Sequence, residues 1–395
     1  MSPSRLTDLR LWVVAACGLL GATPANAQVP VRPLGAPDAK LSRPLNRVTG
    51  LHELRDGRVV LLDANDQTVL LVDFAGDTAV QLGRNGSGPG EYRFLTRLLL
   101  LGGDSIGIED GGNQRILVLT GHGKFSGILG TLGFPVARQT SARGTPPRTS
   151  DAQGRWYALG YSQFAPAAAQ PSDSAPIERW KAGSPVRDTV AYVPLPPVNQ
   201  RVLRPGEGSR AFTASPQWTV GPDGRVAIVR VNPYAVDLID PNGARIKGKP
   251  IPFRRIPVSE AHKREWREEQ SRPRPVTIMI PSGAVSAGLR ARAPTEPVQW
   301  PAFLPPFLDD AARFAPDGSL WIRRTTVADG SQVFDIVDRR GIVVEQVSAP
   351  PNSRVAGFGQ SHVYLVRLDL DNQEFLERYP VVWRGIPYQE LESLQ

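Results

Sequence analysis

Two stretches of this chain, 167 residues apart, align with each other without a gap. Asp56–Gly76 reads DGRVVLLDANDQTVLLVDFAG and Asp223–Gly243 reads DGRVAIVRVNPYAVDLIDPNG. Each copy holds a tight turn, an apolar strand, a polar turn, a second apolar strand and a closing Gly turn. Asp-Gly and Asn-Gly supply the positive φ angles that hairpin turns demand. A unit of this kind cannot bury both faces alone, so copies must stack. The pattern predicts an all-β, six-bladed β-propeller.

The remaining blades follow from the same grammar. Asp63-x-x-Asp66-Gln67-x-Val69-Leu70 returns as Asp110-x-x-Asn113-Gln114-x-Ile116-Leu117, an offset of 47 residues or one four-stranded blade. Blade one is expected over 46–82, and blade two around 102–123. Blade three opens at Gln153, passes a mobile Ala/Pro/Ser-rich loop at about 161–185, and returns at Thr189–Leu195. Blade four is the Asp223 copy, preceded by an inner strand near Phe212–Val220. Blade five starts at Asp317-Gly318. Blade six covers Val355–Val382 and lacks an outermost strand. Open sheet edges invite aggregation, so a strand from 31–46 is predicted to complete it.

Between blades four and five lies an insertion at about 256–308. Ser259 can N-cap a short helix, SEAHKREWREEQ. Val258, His262 and Trp266 then share one face at four-residue steps. Eight prolines follow between Pro273 and Pro306, a density that argues against regular structure. Trp300, Phe303, Leu304 and Phe307 are too apolar for a free linker. The insertion therefore reads as a folded excursion, partly helical and Pro-rich, packed over one face of the ring.

The chain's start gives its address. Arg5 and Arg10 precede an apolar run, Leu11–Leu20, and Ala25-Asn26-Ala27 is a small-x-small cleavage site. Residues 1–27 are expected to be a signal peptide, and 28–395 a single propeller domain, periplasmic or secreted. A rival reading puts a lipid on Cys17 after Val14-Ala15-Ala16, but the apolar run before that Cys is short for it. Cys17 is the only cysteine, so a cleaved chain has no thiol and no disulfide. No later segment has 18 uninterrupted apolar residues, so no membrane span is expected in the mature chain. The net charge of +8 does not imply nucleic acid: six of the 46 basic residues are Lys, the Arg are scattered, and no RNA-binding signature accompanies them.

The segment Gly83-Arg84-Asn85-Gly86-Ser87-Gly88-Pro89-Gly90-Glu91-Tyr92 resembles the GxxGxGPGE-aromatic signature of bacterial exported six-bladed β-propeller proteins, related to the NHL-repeat propellers. The resemblance covers most of the mature chain, least in blade three and the excursion. It implies a scaffold; relatives of this wider kind include binding modules, lactonases and amidating lyases. In this chain the motif makes sense as a blade-to-blade crossing, with glycines for turns and Glu91 accepting backbone N–H bonds. The other reading of Glu91 puts it at the mouth of the central channel.

The residues offer little catalytic machinery. His52, His122, His262 and His362 occupy inequivalent blade positions, which speaks against a three-His metal site. A calcium cage of the lactonase kind needs axial Glu, Asn and Asp, and only Glu53 and Glu91 lie near such places. Asp63 and Asp110 suit turn capping. No G-x-S-x-G elbow and no dinucleotide or phosphate-binding glycine motif is present. Candidate ligand-binding residues are Glu91, His52 on an inner strand, and the excursion's Arg254, Arg255, Trp266, Trp300 and Phe303, whose aromatic faces and guanidinium donors suit sugars, peptides or aromatic anions. The same rings would also serve as a small core holding the excursion down. The function expected is an envelope protein, a monomer without cofactor, that binds a ligand or a protein partner on one face of the ring. The alternative is a metal-assisted hydrolase or lyase of the lactonase-like kind, with calcium as its cofactor.

Overall fold

In a computed structural model, the described residues are 29–131, 147–161, 171–197 (less 172, 183 and 185), 211–272, 274–279, 285–290, 297 and 299–383 (less 329 and 372). The segment 1–27, with Cys17, lies outside them. Six antiparallel sheets make a six-bladed propeller. The innermost strands are Val48–Glu53, Leu95–Leu100, Thr149–Ser150, Gln217–Val220, Ala312–Phe314 and Ser353–Phe358, and each sheet runs outward from its own.

Alternation along the strands builds the core. In Val59–Asp63 the side chains of Val59 and Leu61 pack toward blade six, against Tyr364, Val366 and Leu376. Val60 and Leu62 point the other way, against Leu95, Ile108 and Leu117 of blade two. Period-two patterning thus gives each blade two apolar faces, one for each neighbour. Six apolar clusters fill the six interfaces, and the one joining blades six and one closes the ring.

The N-terminal segment completes blade six, as the sequence predicts. Ala39–Lys40 pairs antiparallel with Arg378 and Glu377, Leu41 donates its N–H to the Leu376 carbonyl at 2.9 Å, and Leu45 bridges to Glu374. Leu41 is fully buried. A further contact has no counterpart in the sequence reading: Val31–Pro33 pairs in parallel with Gln346–Ser348 at the edge of blade five. The N-terminal segment therefore staples two blades.

Two expectations need correction. The proposed loop at 161–185 contains the third strand of blade three, Ser174–Lys181, with Ile177 fully buried and Trp180 edge-on to Trp156 at 6.2 Å. The apolar positions Ala175 and Ile177 outweigh the Pro and Ser around them; 162–170 lie outside the described residues. The Pro-rich stretch is not devoid of regular structure either. Arg274–Met279 and Val285–Arg290 form an antiparallel hairpin that accommodates Pro275, as a two-stranded sheet can because every strand in it is an edge.

The glycine-rich crossing is a locked loop. Gly83 has φ +70°, and a Cβ there would meet the Gly90 carbonyl at 2.2 Å. Glu91 accepts from the Gly88 N–H at 2.8 Å and pairs with Arg84 at 2.8 Å. Arg115 reaches in from blade two and donates to the carbonyls of Ser87, Gly88 and Glu91 at 3.0, 3.0 and 2.8 Å. Its Nε faces buried Asp110 at 3.2 Å. Asp63 and Asp110 hold turns, and each also holds the incoming inner strand of its blade: Asp63 accepts from the N–H groups of Asn46 and Arg47, and Asp110 from that of Arg93.

Between blades four and five, Asp335 is fully buried and accepts from the Tyr234 hydroxyl and Gln346 amide, both at 2.7 Å. Burial pushes its carboxyl up, against the opposing pull of Arg324, Tyr234 and Gln346. A carboxyl whose folded value is raised stabilises the fold most when protonated, and that contribution fades as pH rises above the unfolded value of about 3.9. Urea titrations of the wild type and Asp335→Asn should therefore show the wild type losing ground to the variant as pH rises from about 4 to 7. Parallel curves would show that the carboxyl is not perturbed in this direction.

Candidate functional site

Inner strands from all six blades enclose an axial channel of about 390 Å³. The strands run in one direction, so the channel has two unlike mouths. At the mouth where they begin lie Thr49, Arg97, Arg148 and Arg313; at the other lie His52, Pro222, Pro316 and Phe358. The excursion enters between the outermost strand of blade four, Arg245–Ile246, and the innermost strand of blade five, which places it on the arginine-bearing face.

The mouth's guanidinium groups are fixed from behind. Arg97 pairs with Glu109 at 2.6 Å and donates to the Pro147 carbonyl at 2.8 Å. Arg313 pairs with Asp310 at 3.0 Å and reaches the Ala356 carbonyl at 3.4 Å. Arg148 sits 5.7 Å from the Trp218 ring and next to the field of Asp309. Burial pushes the Asp309 carboxyl up; its Oδ1 accepts from the Gln217 amide at 3.0 Å. Arg323 lies beside Arg313 and Arg354 on the same face. Burial pushes its guanidinium down, with Arg313 and Arg354 adding to that effect and Asp310 and Glu269 opposing it. Among the described residues no carboxylate pairs with Arg323 at ion-pair distance. At the far end burial pushes His52 down to about 4, so its imidazole is neutral at physiological pH.

The excursion has a zipped neck. Leu304 donates to Ile256 at 2.8 Å, and Val258 donates to Ala302 at 3.1 Å. Its helix, Glu260–Ser271, is capped by Ser259 as the sequence predicts. His262 closes a capping box: its Nδ1 accepts from the Ser259 N–H at 3.0 Å. That leaves Nε2–H to donate to the Thr326 carbonyl at 3.2 Å, which ties the helix to blade five.

The sequence-predicted residues do not converge. His52 lines the channel. Glu91 sits in the crossing between blades one and two, bonded to Gly88 and Arg84. Trp266 packs edge-on against Trp300 at 5.4 Å, and Phe212 lies 5.8 Å from Trp300; the three rings are half-buried and make an aromatic cluster at the excursion. Phe307 is fully buried against Tyr234 in the core between blades four and five. Arg255 stacks over half-exposed Phe303 at 4.2 Å on the neck, next to exposed Arg254. Among the described residues no group of three or more His, Cys, Asp or Glu is placed to hold a metal ion.

The arginines of the mouth were not singled out from the sequence. A signal was present: Arg97 interrupts Leu95-Thr96-Arg97-Leu98-Leu99-Leu100, and Arg313 interrupts an inner strand that opens with Ala312. A charge in such a strand needs a reason, because unpaired burial is costly.

No protein-family model matches the chain, and no curated protein does. Solved structures do. A member of a family of unknown function from Bacteroides vulgatus is 8% identical, with 87% of this chain and 96% of that one covered, at a TM-score of 0.45. The calcium-binding protein regucalcin from Agrobacterium tumefaciens is 9% identical, covering 90% and 98%, at 0.39. A streptogramin B lyase is 13% identical, covering 87% and 86%, at 0.37. At these values the likenesses decide nothing about activity; the sheet order and the closed ring carry the propeller assignment.

Proposed function

We propose that this is an exported protein that binds a ligand in the axial channel, from the face on which the excursion sits. The channel carries this reading: about 390 Å³, walled by inner strands of every blade, with arginines at one mouth and a mixed lining of apolar side chains and a few polar groups within. That is the usual build of a small-molecule site. The address rests on residues 1–27, which carry the features of a secretory leader.

A thermal-shift panel of small organic anions, cations and neutral compounds tests it. A ligand that binds only the folded protein at about 100 times its Kd adds about 2.7 kcal/mol of stability. At least one compound should raise the melting temperature by several degrees, and Thr219→Trp, which fills the channel from the inner strand of blade four, should abolish the rise. A shift that survives Thr219→Trp would place binding elsewhere. The same protein, offered lactones and esters with calcium and then with chelator, tests the hydrolase alternative: turnover lost on chelation would replace simple binding with catalysis.

A further inference from the structure

We propose that the ligand is a small organic carboxylate on an apolar body, its carboxylate held among Arg97, Arg148 and Arg313 and its body against Leu98, Phe314 and Phe358; this rests on the channel being the binding site. Three arginines line the channel, and no Asp or Glu does. The blades supplying Arg97 and Arg313, the second and fifth, face each other across the axis of a six-bladed ring. An anion on the axis would therefore meet cations from opposite sides.

The carboxylates that accompany Arg97 and Arg313 do not line the channel. Buried Glu109 holds Arg97, and Asp310, exposed in the turn before the blade-five inner strand, holds Arg313. Forks held in this way are preorganised donors, and planar guanidinium groups match a carboxylate in two-point contact. Arg323 adds positive charge beside the mouth; Asp310 and Glu269 act on it, but neither pairs with it at ion-pair distance. Bringing an anion there relieves repulsion among like charges. Among the residues lining the other end none is charged: His52 is neutral there, and nearby Asp104 is paired with Arg55. Beyond the arginines the walls carry Leu98, Val220, Phe314 and Phe358 as apolar surface, with Ser150, Thr219 and the neutral His52 among them. Charge at one end and apolar wall beyond it select a ligand with a charged head and an apolar body, in preference to a polyanion.

Calorimetric titration of the chain lacking residues 1–27 is the test, with three probes: 1-naphthaleneacetate, its neutral amide, and 1-naphthyl phosphate. The carboxylate should bind at least roughly tenfold more tightly than the amide, as expected for charge-assisted hydrogen bonds. Arg313→Gln should remove that advantage and leave amide binding unchanged. Arg148→Gln should do the same; its side chain is exposed, so this variant guards against a folding defect. Equal affinity for carboxylate and amide, still lost in Thr219→Trp, would overturn the charge assignment and keep the channel as the site. Preference for the phosphate ester would overturn the choice of carboxylate. No binding of any probe at about 5 mM would also overturn the proposal; the channel reading would then stand or fall by whether the wider panel finds a ligand sensitive to Thr219→Trp.

Discussion

Removal of residues 28–45 is expected to lower the melting temperature by roughly 10 °C or more. The segment buries Leu34, Leu41 and Leu45, each at 5% exposure or less. Full burial of such side chains is worth about 1.5–3 kcal/mol each. Its loss also strips hydrogen-bond partners from Leu376 and Glu374 of blade six and from Gln346 of blade five. Glu374 matters further, because its carboxylate accepts from the Val48 N–H at 2.7 Å and from Arg354 at 2.8 Å, joining blade six to blade one. A ring opened at this seam exposes a sheet edge, so the truncated chain should also aggregate on heating. Calorimetry of the two forms checks both points, and a melting temperature within about 2 °C of the chain that starts at residue 28 would show that the ring does not depend on this strand.

Arg115→Ala should cost about 3–5 kcal/mol, the range for breaking a buried ion pair by removing one partner. The guanidinium pairs with buried Asp110 and spans three carbonyls of the Gly83–Tyr92 crossing. Its loss leaves buried Asp110 with no paired cation among the described residues, held by Asn113 and the Arg93 N–H, and removes the donor from the Gly88 and Glu91 carbonyls. Arg115→Lys should recover little, since one ammonium cannot span the same four acceptors. Denaturant melts provide the measurement; a loss below about 1 kcal/mol for Arg115→Ala would show the crossing to be held by its glycines and Glu91 alone.

Architecture was legible because it rests on local chemistry. Asp-Gly turns and alternating Val, Ile and Leu fix each blade, and repetition at blade length fixes the stacking. The missing outer strand of blade six could be inferred because an open edge has to be covered. The strand Ser174–Lys181 was hidden by the Ala, Pro and Ser before it, although Ile177 and Trp180 mark its buried face. The hairpin at 274–290 was hidden by proline, which is a weaker breaker on an isolated edge.

The candidate site was much less legible. Position in the blade placed His52 on an inner strand, and there it lines the channel. Trp266 and Trp300, offered by the sequence as aromatic faces, pack on each other, and Trp300 also meets Phe212, away from the channel lining. Arg97, Arg148 and Arg313 lie up to 216 residues apart and meet only because the ring brings their strands to one axis. A charge within an apolar strand marks Arg97 locally, but nothing local shows that it meets Arg148 and Arg313.

A crystal structure of the protein with 1-naphthaleneacetate tests the account most directly. The account places the carboxylate among Arg97, Arg148 and Arg313, with the naphthalene ring in the lumen. Density for the probe on the excursion, stacked on Phe303 and Arg255 with an empty lumen, would contradict it.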